Sequence, residues 1–184
     1  SVITVGAANS RETADRADDG VTSFSSRGPS RGSYTFASGT RWTDNLIKPD
    51  LGAPGNHMLT ALAGDASGQP RGWSVLAREH PELTRVPGAS QSRGQALMTL
   101  SGTSMAAPVV AGAAAVLLQA NPGLTPPLVK AILQYTATPV GSASLLQQGT
   151  GQINLEGALR LATALRQDIG PALAAGRLAA GDNL

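Results

Sequence analysis

The opening run, SVITVGAA, carries Val2, Ile3 and Val5 and closes on Gly6 and two alanines. That pattern suits a short buried strand over 1–8. Residues 9–20 are polar and charged, a surface connection. VTSFSSRGPS at 21–30 reads as a brief strand ending in a Gly-Pro turn. Residues 31–45 are rich in Ser, Thr, Gly and Arg and hold Tyr34, Phe36 and Trp42, which marks a loop or insertion. IKPDLGAPG at 47–55 packs prolines and glycines too densely for a helix, and is expected to be a tight, irregular crossing. NHMLTALA at 56–63 and ALMTLS at 96–101 are strand-like. Between them, 64–95 is polar and interrupted by Pro70, Pro81 and Pro87, with one short helix expected at 73–80.

From Thr103 the period becomes helical. Ala106, Val109, Val110, Ala113, Ala114, Val116, Leu117 and Leu118 surround the axis. A helix apolar on all sides is expected to be buried. Pro108 is tolerated only near the first turn, which sets the helix start close to Ser104. A helix from there to Ala120 is about 25 Å long. Thr125 then offers an N-cap with Pro126 at the first helical position, and Leu128, Ala131, Ile132 and Tyr135 form a stripe. Residues 149–167 read as a glycine turn leading into a last helix, with Leu155, Ala158, Leu159 and Ala162 lining one face. The residues 171–184 read as a low-complexity Ala/Gly tail, frayed or helical. No period of 20–50 residues is present, so a repeat array is excluded.

Composition narrows the function classes. Length alone, 184 residues, suits about one domain. Charged residues make up 14% and the net charge is +2, without a basic run, so no nucleic-acid footprint is visible. There is no cysteine, which removes disulfides, Cys-zinc sites and thiol nucleophiles together. No apolar run reaches the length of a membrane span; 105–120 falls short. Ser-x-x-Lys does not occur, so a serine–lysine nucleophile is not expected, and without HExxH or His-x-x-x-His no zinc site is expected.

In LSGTSMAAPVVAG, at 100–112, a strand ends and Ser104 opens a helix. There its hydroxyl would lie near unpaired N–H groups and the positive helix end. Two readings stay open on local pattern: Ser104 caps the helix, or it is a nucleophile beside an oxyanion site.

The wider pattern bears on that choice. GTSMAAP at 102–108 resembles the nucleophile motif of the subtilisin-like serine proteases. SVITVGA, FSSRGP, KPDLGAPG, the helical run from VVAGAAAVLLQANPG and GTGQINLEGAL resemble further segments of that family, in order. The resemblance implies an α/β fold, a mostly parallel sheet flanked by helices and incomplete, with N-terminal strands missing. It implies that residues 1–170 are the C-terminal part of a catalytic domain with insertions near 31–45 and 64–95, followed by the 171–184 tail. It makes Ser104 the catalytic nucleophile and Thr103 an oxyanion support, beside the Ser104 N–H. The chemistry implied is serine endopeptidase action on a peptide or protein through an acyl-enzyme. It needs no cofactor, although calcium is possible in the intact protein. Location would be extracellular or periplasmic.

The same resemblance calls for an Asp motif, an H-G-T-x-V-A-G motif and an A-G-N segment, all before the strand that opens this chain. None occurs here. The chain is therefore expected to start within a domain, to be inactive alone, and to need a partner carrying the N-terminal part. His57, in APGNHM, and His80, in REHPEL, lack the context of the missing base and read as surface or turn histidines. Asp50 reads as a structural turn carboxylate that accepts backbone N–H bonds. Asp15, Asp18 and Asp19 form a small acidic cluster, conceivable for calcium but matching a solvated loop. The competing hypothesis is a non-catalytic binding module on the same fold, or a decayed protease, with 64–95 as its contact surface.

Overall fold

A computed structural model describes residues 2–64, 72–89, 91, 95–179 and 181–182. Strand β1 (Val5–Asn9) lies between the short β2 (Gly20–Val21) and β5 (Leu51–Pro54). β1 runs parallel to β5, with Val5 opposite Leu51 and Ala7 opposite Ala53. It runs antiparallel to β2 only at Ala8 and Asn9. A parallel bridge from Gly52 to Gln152 extends the sheet beyond β5. Two two-stranded antiparallel ladders stand apart: β3 (Ser33–Thr35) with β4 (Arg41–Thr43), a hairpin, and β6 (Met58–Ala61) with β7 (Leu97–Leu100).

The helices are α1 (Val75–Glu79), α2 (Thr103–Ala120), α3 (Pro126–Thr136), α4 (Leu145–Gln148), α5 (Leu155–Ala164) and α6 (Ile169–Ala174). Helix α1 falls within the expected 73–80, capped by Ser74, whose Oγ accepts the Ala77 N–H. The insertion expected at 31–45 forms the β3–β4 hairpin. Part of 64–95 lies outside the described residues. Beyond residue 170, Ala172 and Leu178 are buried in the core.

Helix α2 crosses β1 and β5, and its Ala106, Val110, Ala113 and Leu117 share the core with Ala7, Leu51 and Ala53. Small residues on both sides let helix and sheet backbones approach closely. Full burial of Leu117 contributes about 2 kcal/mol. The opposite side of α2 is not covered: Ala107, Ala111, Ala115, Val116 and Leu118 are exposed. The expectation of burial on all sides is thus corrected; the sheet, α3 and α5 reach only one face. By length and composition α2 could cross a membrane, the one such helix among the described residues, but its buried face is core.

The α3 stripe is corrected as well. Its buried residues are Val129, Ile132 and Leu133, while Tyr135 is 83% exposed. The side facing α5 and α2 is rotated from the one the apolar spacing marked. In α5, Ala158 and Ala162 are buried but Leu155 is exposed. The two layers are locked by Asn121, fully buried after the end of α2. Its Nδ2 donates to the carbonyls of Ala162 (2.9 Å), Leu165 (3.2 Å) and Arg166 (3.3 Å), and its Oδ1 accepts the Gly123 N–H at 3.0 Å. One amide side chain thereby satisfies carbonyls left over at the end of α5.

Candidate active site

Strand β7 delivers the chain to Ser101 and Gly102, and α2 starts at Thr103. A chain of backbone bonds fixes that corner. Gly102 N–H donates to the Gly55 carbonyl at 2.8 Å, and Gly55 N–H donates to the Ala8 carbonyl at 3.0 Å. Gly55 is where a side chain cannot be accommodated. A Cβ there would lie 2.8 Å from Ala7 Cβ, 2.8 Å from Gly102 O and 3.1 Å from Ala106 Cβ. Gly102, by contrast, has extended backbone (φ 160°). The sharp corner rests on close approach at Gly55, a residue the sequence reading did not single out.

The first turn of α2 has no capping side chain. The carbonyl of Gly102 takes the N–H groups of Met105 (3.0 Å) and Ala106 (3.3 Å). The N–H groups of Thr103 and Ser104 precede the first helical donor, Met105, and remain available to an anion. Ser104 is exposed and Thr103 half-buried. Among the described residues neither hydroxyl has a hydrogen-bond partner. Pro108 sits four residues on and has no N–H to give the Ser104 carbonyl. Beside this corner an apolar slot of about 270 Å³ is lined by Met58, Leu59, Thr60, Met105, Pro108 and Val109.

Neither histidine is hydrogen-bonded to Ser104. His57 has a left-handed backbone (φ 51°), and its N–H donates to Ser101 Oγ at 3.0 Å. Its Nδ1 lies 2.9 Å from Glu12 Oε1, both groups exposed. The pair faces a groove of about 510 Å³ shared with Leu59, Glu82, Leu83 and Thr99. His80 Nδ1 is 3.0 Å from Glu82 Oε1. The His57–Glu12 pair is 45 residues apart in sequence, with no spacing signal that could have announced it.

Asp50 accepts the Thr4 N–H at 2.7 Å and faces Lys48 (3.0 Å) and Lys130 (2.9 Å). Burial alone would raise its pKa. The Lys130 contact, the Thr4 N–H and the Lys48 contact outweigh burial and hold it below the ordinary carboxylate value. The three acidic loop residues are engaged separately. Asp15 Oδ1 accepts from Ala17, Asp18 from Thr13 Oγ1, and Asp19 lies 3.8 Å from Arg16. Burial pushes the Asp19 pKa up against the pull of Arg16. Among the described residues no group of three or more His, Asp or Glu side chains is arranged to hold a metal ion.

A model of the subtilase family matches residues 1–151. The chain belongs to the subtilase family. As a subtilase segment it is 34% identical over 155 residues to Serine protease AprX of Bacillus subtilis (strain 168), covering 84% of this chain and 29% of that protein. It is 37% identical over 147 residues to Subtilisin-like protease SBT4.3 of Arabidopsis thaliana, covering 78% of this chain and 17% of that protein. The structure of fervidolysin from Fervidobacterium pennivorans, a keratinolytic enzyme related to subtilisin, superposes with a TM-score of 0.58 at 29% identity. It covers 86% of this chain and 19% of fervidolysin. The Clostridium perfringens CspB protease gives 0.55 at 25% identity, over 90% of this chain and 27% of that one. The subtilase fold is therefore present as an α/β segment, and the chain spans under a third of the length of these relatives.

Proposed function

We propose that this segment supplies the nucleophile of a serine endopeptidase. Ser104 Oγ attacks the carbonyl carbon of a peptide bond, and the Ser104 N–H and Thr103 hydroxyl donate to the oxygen that becomes negative. The peptide C–N bond then breaks, the amine leaves with the serine proton passed to it by the general base, and water hydrolyses the acyl group left on Ser104. The observation that carries this reading is the exposed, unpartnered hydroxyl of Ser104 at the start of α2, in a chain of subtilase sequence.

The base and its orienting carboxylate come from outside the described residues, because neither His57 nor His80 is bonded to Ser104. Alone, the segment is inert as a protease. The rest of the catalytic domain docks where two surfaces are uncovered. One is the side of β1 ahead of Ala7, where no described strand pairs. The other is the α2 face of Ala107, Ala111, Ala115 and Leu118. The substrate is a peptide or protein segment, and the site of action is outside the cytoplasm. Calcium, if bound, belongs to the intact protein.

The test is covalent labelling of the intact protein by a fluorophosphonate probe. Labelling that disappears in Ser104→Ala supports the reading. An intact protein that contains a base and still resists the probe favours a binding module on the same fold.

A further inference from the structure

The β3–β4 hairpin is an exposed element that the proposed chemistry does not use. Every residue from 31 to 42 is exposed. The chain has two tyrosines, two phenylalanines and two tryptophans, and this hairpin takes one of each. Tyr34 lies directly opposite Trp42 in the antiparallel register, so the two share a face. Phe36, two residues on from Tyr34, is on that face too. Its ring meets Tyr34 edge to face, with centroids 5.1 Å apart and planes at 87°. The rings remain 61%, 49% and 54% exposed for Tyr34, Phe36 and Trp42. Leu46 and Ile47, also exposed, follow at the base of the hairpin.

The other face holds Ser33, Thr35, Arg41 and Thr43. Arg31 and Arg41 are exposed; among the described residues Arg41 bonds only the Ser33 hydroxyl, at 3.0 Å. Between residues 24 and 47 Asp44 is the single carboxylate, and it is already engaged by the Ser30 hydroxyl at 2.9 Å. The hairpin is thus amphipathic, with aromatic rings on one face and cationic, hydroxyl-bearing residues on the other.

We propose that this hairpin docks on an anionic lipid surface. Aromatic rings with an apolar body and a polar edge settle at the headgroup boundary, and long arginine side chains reach back to phosphates. With no walls of its own, the projecting face suits a deformable bilayer and lacks the pocket a rigid protein side chain would need. Arg27, Arg31 and Arg41, none of them ion-paired among the described residues, select an anionic surface over a neutral one. Such docking would hold the molecule at a membrane without any spanning segment.

The experiment is flotation of the intact protein with phosphatidylcholine vesicles, with and without phosphatidylglycerol. It needs no proteolytic activity, so its outcome is separate from that of the probe labelling. The expected result is flotation with the anionic vesicles only, weakened by salt. Arg31→Gln with Arg41→Gln should reduce the partition by about tenfold or more. Tyr34→Ser, Phe36→Ser and Trp42→Ser together should abolish it, with an unchanged unfolding midpoint showing that the core is intact. No flotation, equal flotation on neutral vesicles, or flotation retained by the triple variant overturns the proposal. So does loss, in the triple variant, of an acidic protein partner from a chain that never floats.

Discussion

Lys130 Nζ lies 2.9 Å from Asp50 Oδ2 and donates to the Val2 carbonyl, also at 2.9 Å. One ammonium from α3 therefore ties the entry to β1 to the turn before β5. Asp50, only 8% exposed at its side chain, would otherwise be a buried uncompensated charge.

Replacing Asp50 with Asn should remove both ion pairs and leave two cations at 21–25% exposure facing a neutral group. The expected cost is about 2–3 kcal/mol, at or below the bottom of the buried-pair range, because the lysines are partly solvated. Urea denaturation measures it. The pH dependence has a definite sign. A folded-state pKa below the unfolded one gives stability that is full above the ordinary carboxylate pKa and is lost as pH falls through the lowered value. Asp50→Asn should flatten that acid-side loss; an unchanged acid profile would rule out Asp50 as its source.

Gly55→Ala introduces a methyl group between Ala7, Gly102 and Ala106. Backbone on one side and two core alanines on the other leave nothing soft to move. The expected destabilisation is about 1–3 kcal/mol. Because Gly55 holds Gly102 by a backbone bond, probe labelling at Ser104 should fall further than stability does. Equal labelling in folded protein would show that the corner does not depend on this contact.

Ser104→Ala should leave stability within about 0.5 kcal/mol, since the hydroxyl is exposed and unpartnered. In the intact protein it should cut proteolysis by roughly 10⁴–10⁶-fold. His57→Ala tests the assignment of the base to another residue. Held by Glu12 and bonded through its backbone to Ser101, it should change activity less than tenfold. A loss of about 10²-fold or more would instead mark it as the general base.

Asn121→Ala should strip partners from the Gly123 N–H and from the carbonyl of Ala162 in a fully buried place. Around 2–4 kcal/mol is expected, from the unsatisfied groups and the cavity together. Thermal unfolding should show it, and Asn121→Asp should not restore it, because a carboxylate cannot donate to those carbonyls.

What residue order alone determined is local. The strand at β1, the start of α2 close to Ser104 and the start of α3 after Thr125 were legible because period and proline placement act within a few residues, although Thr125 holds the N-cap position without a side-chain capping bond. The Ser104 motif was legible for the same reason, as seven contiguous residues. What only the tertiary structure decided depends on packing between distant segments. Which face of α3 is buried was set by α5 and α2, and its apolar spacing pointed elsewhere. The exposed back of α2 is the reverse case, a fully apolar helix with neighbours on one side only. Gly55 gained its importance from Ala7 and Ala106 closing around it, and the pairings of His57 with Glu12 and of Asp50 with Lys130 join residues whose separations along the chain carry no signal. Spacing reports a side chain's direction along its own element, while its partners are fixed by which elements the core brings together.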